Sequence, residues 1–369
     1  LAADTDFDPS GVSAAETARA QAAEALLTPL AQKGAPSGVA TLDSAGQVPL
    51  GQVPDLSGTY ARKVAVDVRT YGAVGDGVAD DTAAINAAVT AATAGATVVF
   101  PHPASFYKIT GPIVGKTGVT FAPGGSGVEI RQATQYKPVF DLFNVDNCTV
   151  SGFTLTNSLG PPPAIGATFR GDNGYAYSAG VWSNGSKHTI KDLRIVDFAM
   201  GVYLNSSDGT TNIGNSVKRV GSTVRDVEVS GCNHGVLWLN QDQLFLANIN
   251  VHDHVDSSAG TNPMHALYGT GNSTNRSSNT TVIGCRDANN PTGAAFQFKY
   301  TNGLTVAELS AQNCFGIWNC IDCFDVVGGN LSSIGDVSTS GAAFTFQKVT
   351  TQPARIAMSN IAIQSNVDA

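Results

Sequence analysis

After Pro101 one short block recurs along the chain, with the form apolar, any, Gly/Asp/Asn/Glu, apolar, any, apolar. Instances start at Val150, Ile190, Val224, Leu246, Val282 and Val306, with a weaker one at Val326 and another at Met358. The tightest steps between first residues are 20, 22 and 24. A second strand-like run precedes each block: Gly180-Val-Trp, Gly201-Val-Tyr-Leu, Gly235-Val-Leu-Trp, His265-Ala-Leu-Tyr, Ala295-Phe-Gln-Phe, Gly316-Ile-Trp and Ala343-Phe-Thr-Phe. A period in the twenties, filled by residues alternating every second position and not at helical spacing, is the pattern of a β-solenoid, in which each rung buries its apolar face against the last. Longer steps mark loops inserted at 157–179, 206–221, 254–263 and 270–279. In a scaffold closed by stacking, inserted loops are where function concentrates.

The composition fits an all-β chain. Charged residues make up only 14% of 369, and there are 40 glycines, so long helix-favouring side chains are scarce and turn formers abundant. A net charge of −8 argues against nonspecific nucleic-acid binding, which needs a basic footprint. No apolar run reaches the ~18 residues of a membrane span, so membrane insertion is not expected.

Upstream of the repeat, Val66 to Pro101 has three parts: an alternating strand, a turn at Gly72, Gly75 and Asp76-Gly77, and a helix followed by a β-branched strand. Asp80 or Asp81 stands where an N-cap belongs, Ile85, Ala88 and Val89 recur at helical spacing, and Gly95 is placed to close the helix. The acids here read as turn and cap residues. The run Tyr71-Gly-Ala-Val-Gly-Asp-Gly-x-x-Asp-Asp-Thr-x-Ala-Ile-x-Ala-Ala resembles the opening segment of the pectate-lyase-like superfamily. That resemblance implies a right-handed parallel β-helix spanning 64–369, its N-terminal end plugged by this helix.

Residues 1–63 read as a separate unit, a short helical and extended stalk. Ser13 and Glu16 form a capping box for an Ala-rich helix that Pro29 ends, and so short a helix with few large apolar residues is expected to dock either on symmetric copies of itself or on a neighbouring protein. Farther on, Gly38-Val-Ala-Thr-Leu-Asp-Ser-Ala-Gly-Gln-Val-Pro-Leu resembles a segment of bacteriophage tail fibres and minor tail proteins. The alternative is an ordinary flexible linker. The resemblance implies a phage tail spike or tail fibre in the virion, attached through this region to other tail proteins, a homotrimer, and acting at the host cell surface.

The six cysteines read as core thiols. Cys232 and Cys314 share an offset but stand three rungs, about 14 Å, apart, too far for a disulfide. Cys320 and Cys323 form a C-x-x-C without the second pair a zinc site needs.

Candidate chemistry lies on outward columns. The fourth residue after each block start runs Thr154, Arg194, Glu228, Asn250, Arg286, Ser310, Asn330, either a surface ion-pair ladder or the floor of a polar groove. The seventh runs Asn157, Asp197, Gly231, Asp253, Asn289, Asn313. Asp197 and Asp253 are two rungs, about 9.6 Å, apart with Gly231 leaving space between, a separation near that of an inverting glycosidase. Glu228 is a third candidate acid, and local turn roles are the competing reading. His252 and His254 flank Asp253, but no third ligand is placed for a metal, so the imidazoles are read as groove lining and no metal or cofactor is expected. Trp182, Tyr203, Tyr268 and Trp318 form an aromatic column that would stack on sugar rings if it faces outward and would be core if the register slips by one. Asp287 falls either at an inward position or at a register break.

The expected job is binding, and possible hydrolysis, of host surface polysaccharide. The competing readings are a receptor-binding fibre without catalysis and a free secreted hydrolase or lyase. No lyase-like or pectinase-like acid motif matches the rungs after Pro101.

Overall fold

The computed structural model describes residues 14–25, 65–162, 177–207, 217–255, 264–334, 344–347 and 355–364. It is a right-handed parallel β-helix in which all the strand pairings described are parallel. Each rung contributes to three stacked sheets, and every sheet has an inward column of partnered residues.

In sheet A that column runs Val98, Phe121, Val150, Ile190, Val224, Leu246, Val282, Val306, Gly328, Met358. In sheet B it runs Ile130, Leu155, Ile195, Val229, Val251, Asp287, Ala311, Ser333. In sheet C it runs Ile113, Phe140, Val181, Val202, Val236, Leu267, Phe296, Trp318. These columns make one continuous core. Aromatic rings stack along it, with Phe100 and Phe153 at 5.1 Å and Phe298 and Trp318 at 4.7 Å between centroids.

The Gly/Asp/Asn/Glu position of the block is the corner from sheet A to sheet B. Gly152, Asp192, Asp226, Asn248, Gly284, Glu308, Asn330 and Asn360 all have φ between 51° and 84°. Glycine and short polar residues occupy this left-handed conformation at least cost, Glu308 being the one long side chain among these corners, and Asx side chains here bond along the stack. Asn248 Nδ2 donates to Asp226 Oδ1 at 2.9 Å, and Asn360 Nδ2 to Asn330 Oδ1 at 3.1 Å.

This corner corrects one register. The block at Val326 begins instead at Gly328, which pairs with Val306 and Met358. The shift is two residues, which preserves the alternation of faces, so the apolar pattern could not reveal it. Consequently Ser332, not Asn330, stands beside Ser310.

Upstream, the helix Thr82–Ala91 buries Ile85, Ala88 and Val89. The acids before it are structural. The Asp81 carboxylate is 1% exposed and accepts from the Val74 and Gly75 amides, Asp76 accepts from Val78 and Ala79, and Asp80 accepts from Thr82. Gly95 does not cap the helix, which ends at Ala91 with Ala92 as its C-cap; Gly95 opens the next corner, its amide donating to Gly118 O. All six cysteines are buried free thiols.

Within residues 1–63, the described part is the helix Ala14–Ala25, with Glu16–Arg19 paired at 3.1 Å and residues 16–23 exposed. Ser13, Pro29 and the extended stalk lie outside the described residues.

Candidate functional site

Two outer faces carry chemistry. On sheet B the structure brings together four residues singled out by sequence. Arg194 Nε lies 3.6 Å from Glu228 Oε1, which lies 3.2 Å from His252 Nε2, and His252 Nδ1 lies 2.8 Å from Asp253 Oδ2. Burial disfavours the charged imidazole, but its hydrogen bonds to Asp253 and Glu228 outweigh that and raise its pKa above the usual histidine value. The His252 and Asn289 bonds hold the Asp253 carboxyl below its ordinary range. The network borders a shallow concavity of about 410 Å³ between the corner residues and the column Thr154, Arg194, Glu228, Asn250. The four side chains are half-buried to exposed, and such pairs each contribute up to about 1 kcal/mol.

Asp197 and Asp253 both stand at left-handed corner positions, φ 66° and 52°, in a column with Gly231, Asn289 and Asn313. Asn289 Nδ2 donates to Asp253 Oδ1 at 2.9 Å, and Asn313 Nδ2 to Asn289 Oδ1 at 3.3 Å. Both acids therefore serve the turn, whatever else they do. Gly231 does not leave open space: a Cβ built there would sit 2.3 Å from Asp197 Oδ1. Burial raises the Asp197 pKa, with Arg194 pulling the other way. Gly231→Ala, forcing alanine to φ 63° beneath that carboxylate, should cost about 1–2 kcal/mol in denaturant unfolding; an unchanged midpoint would refute the corner geometry.

The aromatic column divides. Trp182, Tyr203 and Tyr268 do point outward from sheet C, partnered through Leu237 and followed by Gln297. Trp318 does not; it pairs with Phe296 on the inward column, and Asn319 takes its outward place beside Gln297. The slip is one residue: Gly316 pairs with Ala294 and not Ala295, and the aromatic-rich run Phe296-Gln-Phe298 hid it. Trp182 and Tyr203 are fully buried, in a satellite cluster with Tyr177, Met200, Leu237 and Leu239. They offer no ring face to a sugar here.

Beyond that cluster the outer face of sheet C becomes polar. His234 and His265 are register partners with ring centroids 5.4 Å apart, and Tyr268 lies 5.6 Å from His234 and 4.9 Å from His265. Lys299 Nζ donates to Tyr268 Oη at 3.2 Å. Burial pushes both imidazoles down, His265 to about 4, so they are neutral at physiological pH. His265, Gln297, Asn319 and Phe315 then line an open groove of about 270 Å³. Sequence reading missed this pair of histidines. Alternation would place both inward, two residues before the inward Val236 and Leu267; the one available signal was the recurrence of His at the same offset in successive rungs.

Behind the groove, inside the coil, His254 Nε2 lies 2.7 Å from Asp287 Oδ1 with both side chains wholly buried. Asn290 Nδ2 donates to Asp287 Oδ2 at 3.1 Å. Asp287 thus occupies the inward position between Val251 and Ala311, and the register break lies after Asn290. Among the described residues no group of three or more His, Cys, Asp or Glu is arranged to hold a metal.

A three-sheet parallel coil with polar corner ladders and an open groove on one outer face defines a pectate-lyase-like β-helix. The chain belongs to the rhamnogalacturonase A/epimerase, pectate lyase-like family, whose model matches residues 65–262. No curated protein matches it in sequence. Among solved structures it is similar to the enzymatically active domain of bacteriophage CBA120 tailspike protein 2, at 13% identity and TM-score 0.54, covering 82% of this chain and 42% of that one. It is also similar to tailspike protein gp49 of Acinetobacter baumannii bacteriophage Fri1, a capsular polysaccharide depolymerase, at 13% identity and TM-score 0.52, covering 82% of this chain and 57% of that one. The chain spans less than two-thirds of the length of either.

Proposed function

We propose that this chain is the β-helical body of a phage tailspike or tail-fibre protein that binds bacterial surface polysaccharide on the outer face of sheet C. The observation that carries the reading is the groove at His265, Gln297, Asn319 and Phe315, where hydrogen-bonding side chains and an exposed ring converge on one open surface. The two tailspikes of like fold, one described as a capsular polysaccharide depolymerase, support it. In this reading residues 1–63 attach the protein to the tail, and it acts as a homotrimer at the host surface.

A second reading, hydrolysis of the bound glycan, is favoured by one observation. Asp197 is pushed up and Asp253 down, two rungs apart, the divergence that separates a general acid from a general base. Asp197 would protonate the leaving oxygen and Asp253 would activate water.

The test incubates purified protein with isolated envelope polysaccharide and follows both binding and product release. Saturable binding that weakens about tenfold in Asn319→Ala, consistent with about 1–2 kcal/mol for a hydrogen bond to ligand, supports the groove. Binding that Asn319→Ala leaves unchanged would overturn it. New oligosaccharides that vanish in Asp253→Asn or Asp197→Asn would establish turnover; intact glycan with undiminished binding would sink the hydrolytic reading and leave an adhesin.

A further inference from the structure

We propose that the sheet C groove is a subsite for an uncharged sugar, a neutral hexose or N-acetylhexosamine, and not for a uronate; this rests on the binding reading above.

The first argument is the state of His265. Its Nδ1 lies 2.6 Å from Ala294 O, and a carbonyl only accepts, so Nδ1 carries the proton. The ring is 2% exposed, and burial keeps it neutral. Nε2 therefore bears a lone pair. It can accept from a sugar hydroxyl, but it offers no positive charge to a carboxylate.

Amides form the next wall. Gln297 and Asn319 are neighbours in one outward column, 3.5 Å apart between Gln297 Oε1 and Asn319 Nδ2. Asn319 Oδ1 is buried with no hydrogen-bond partner. An amide oxygen left in that state costs about 1–3 kcal/mol, and a rotation of the side chain toward a sugar hydroxyl would recover it. Paired amides present donors and acceptors together, which matches hydroxyl and acetamido groups and not a lone anion. Phe315, 39% exposed at the rim, supplies an apolar face for a pyranose ring.

Charge is what the wall lacks. Among the described residues that line the groove none is Lys, Arg, Asp or Glu. Lys299 on the same face is engaged by Tyr268, donating to its hydroxyl and lying 5.2 Å from its ring centroid. A carboxylate entering here would find no cation in the groove wall to offset the hydration it gives up.

The deciding measurement is titration calorimetry with two probe sets, neutral hexose and N-acetylhexosamine oligomers on one side and oligogalacturonate on the other. The expected result is at least tenfold tighter binding of a neutral oligomer. Its Kd should change less than about twofold between ~0.05 and ~0.5 M salt, since no charge pair is there to be screened. Asn319→Ala and Phe315→Ala, both in the groove wall, should each weaken it about tenfold. Gln297→Lys should lower neutral binding and bring in oligogalacturonate with a salt-sensitive Kd. Oligogalacturonate binding best to the wild type, and weakened by Asn319→Ala, would overturn the uncharged-sugar assignment while leaving the groove a glycan site. Neither set binding, or binding indifferent to both variants, would overturn the groove itself and this assignment with it.

Discussion

Asp287→Ala is expected to lower the unfolding free energy by about 3–5 kcal/mol, because it strands His254 in the core without its counter-charge. Both side chains are wholly buried, Asp287 in the inward column between Val251 and Ala311 and His254 just past the corner, so water cannot replace the lost partner. Replacing the pair together, His254→Leu with Asp287→Leu, should recover most of that loss, since paired burial costs desolvation on both sides. Chemical denaturation of the three proteins reads the comparison directly. A single-variant cost under about 1 kcal/mol would show that the pair is not buried as described.

The same pair sets a pH dependence. Burial lowers the His254 pKa, but Asp287 raises it more, and the folded value lies above the unfolded one near 6.5. A raised folded pKa means the imidazolium binds its proton more tightly in the native state. The stabilisation is therefore complete below about 6.5 and is lost as pH climbs through the folded value. Wild-type stability should fall across that window relative to Asp287→Asn, whose profile should be flatter there. A difference that grows with rising pH would have the wrong sign and would rule out the charged pair.

What was legible in the sequence follows from which signals repeat. The solenoid was legible because each rung carries two copies of information, an apolar alternation and a Gly/Asx corner. The corner proved the sharper marker. At Gly328 the apolar signal is absent and points two residues upstream, while Asn330 still marks the left-handed turn at φ 57°. Polar contacts between rungs were partly legible: register alone stacks Arg194 on Glu228, while His252, partnered with Ser230, reaches Glu228 diagonally and brings Asp253 with it. The sheet C groove was not. Its members are common residues, and their shared face depends on how the chain turns the Asn290–Ala294 bulge, which no periodicity encodes.

Trp318→Ala should cost about 3–5 kcal/mol of stability and lower glycan affinity in the folded fraction less than Asn319→Ala does. The ring is 1% exposed, 4.7 Å from Phe298 between centroids, and paired in register with Phe296, so its removal opens a cavity that rigid neighbouring rungs cannot close. Asn319→Ala should show the reverse, a stability change under about 1 kcal/mol with loss of binding, because its side chain points out of the coil beside Gln297. The pair of variants thus separates the two registers that the sequence allowed. Had the chain slipped by one, Trp318 would face sugar and Asn319 the core, and the two phenotypes would exchange. Finding them exchanged would also move the groove, since Gln297, Phe315 and His265 are placed by the same pairing of strands.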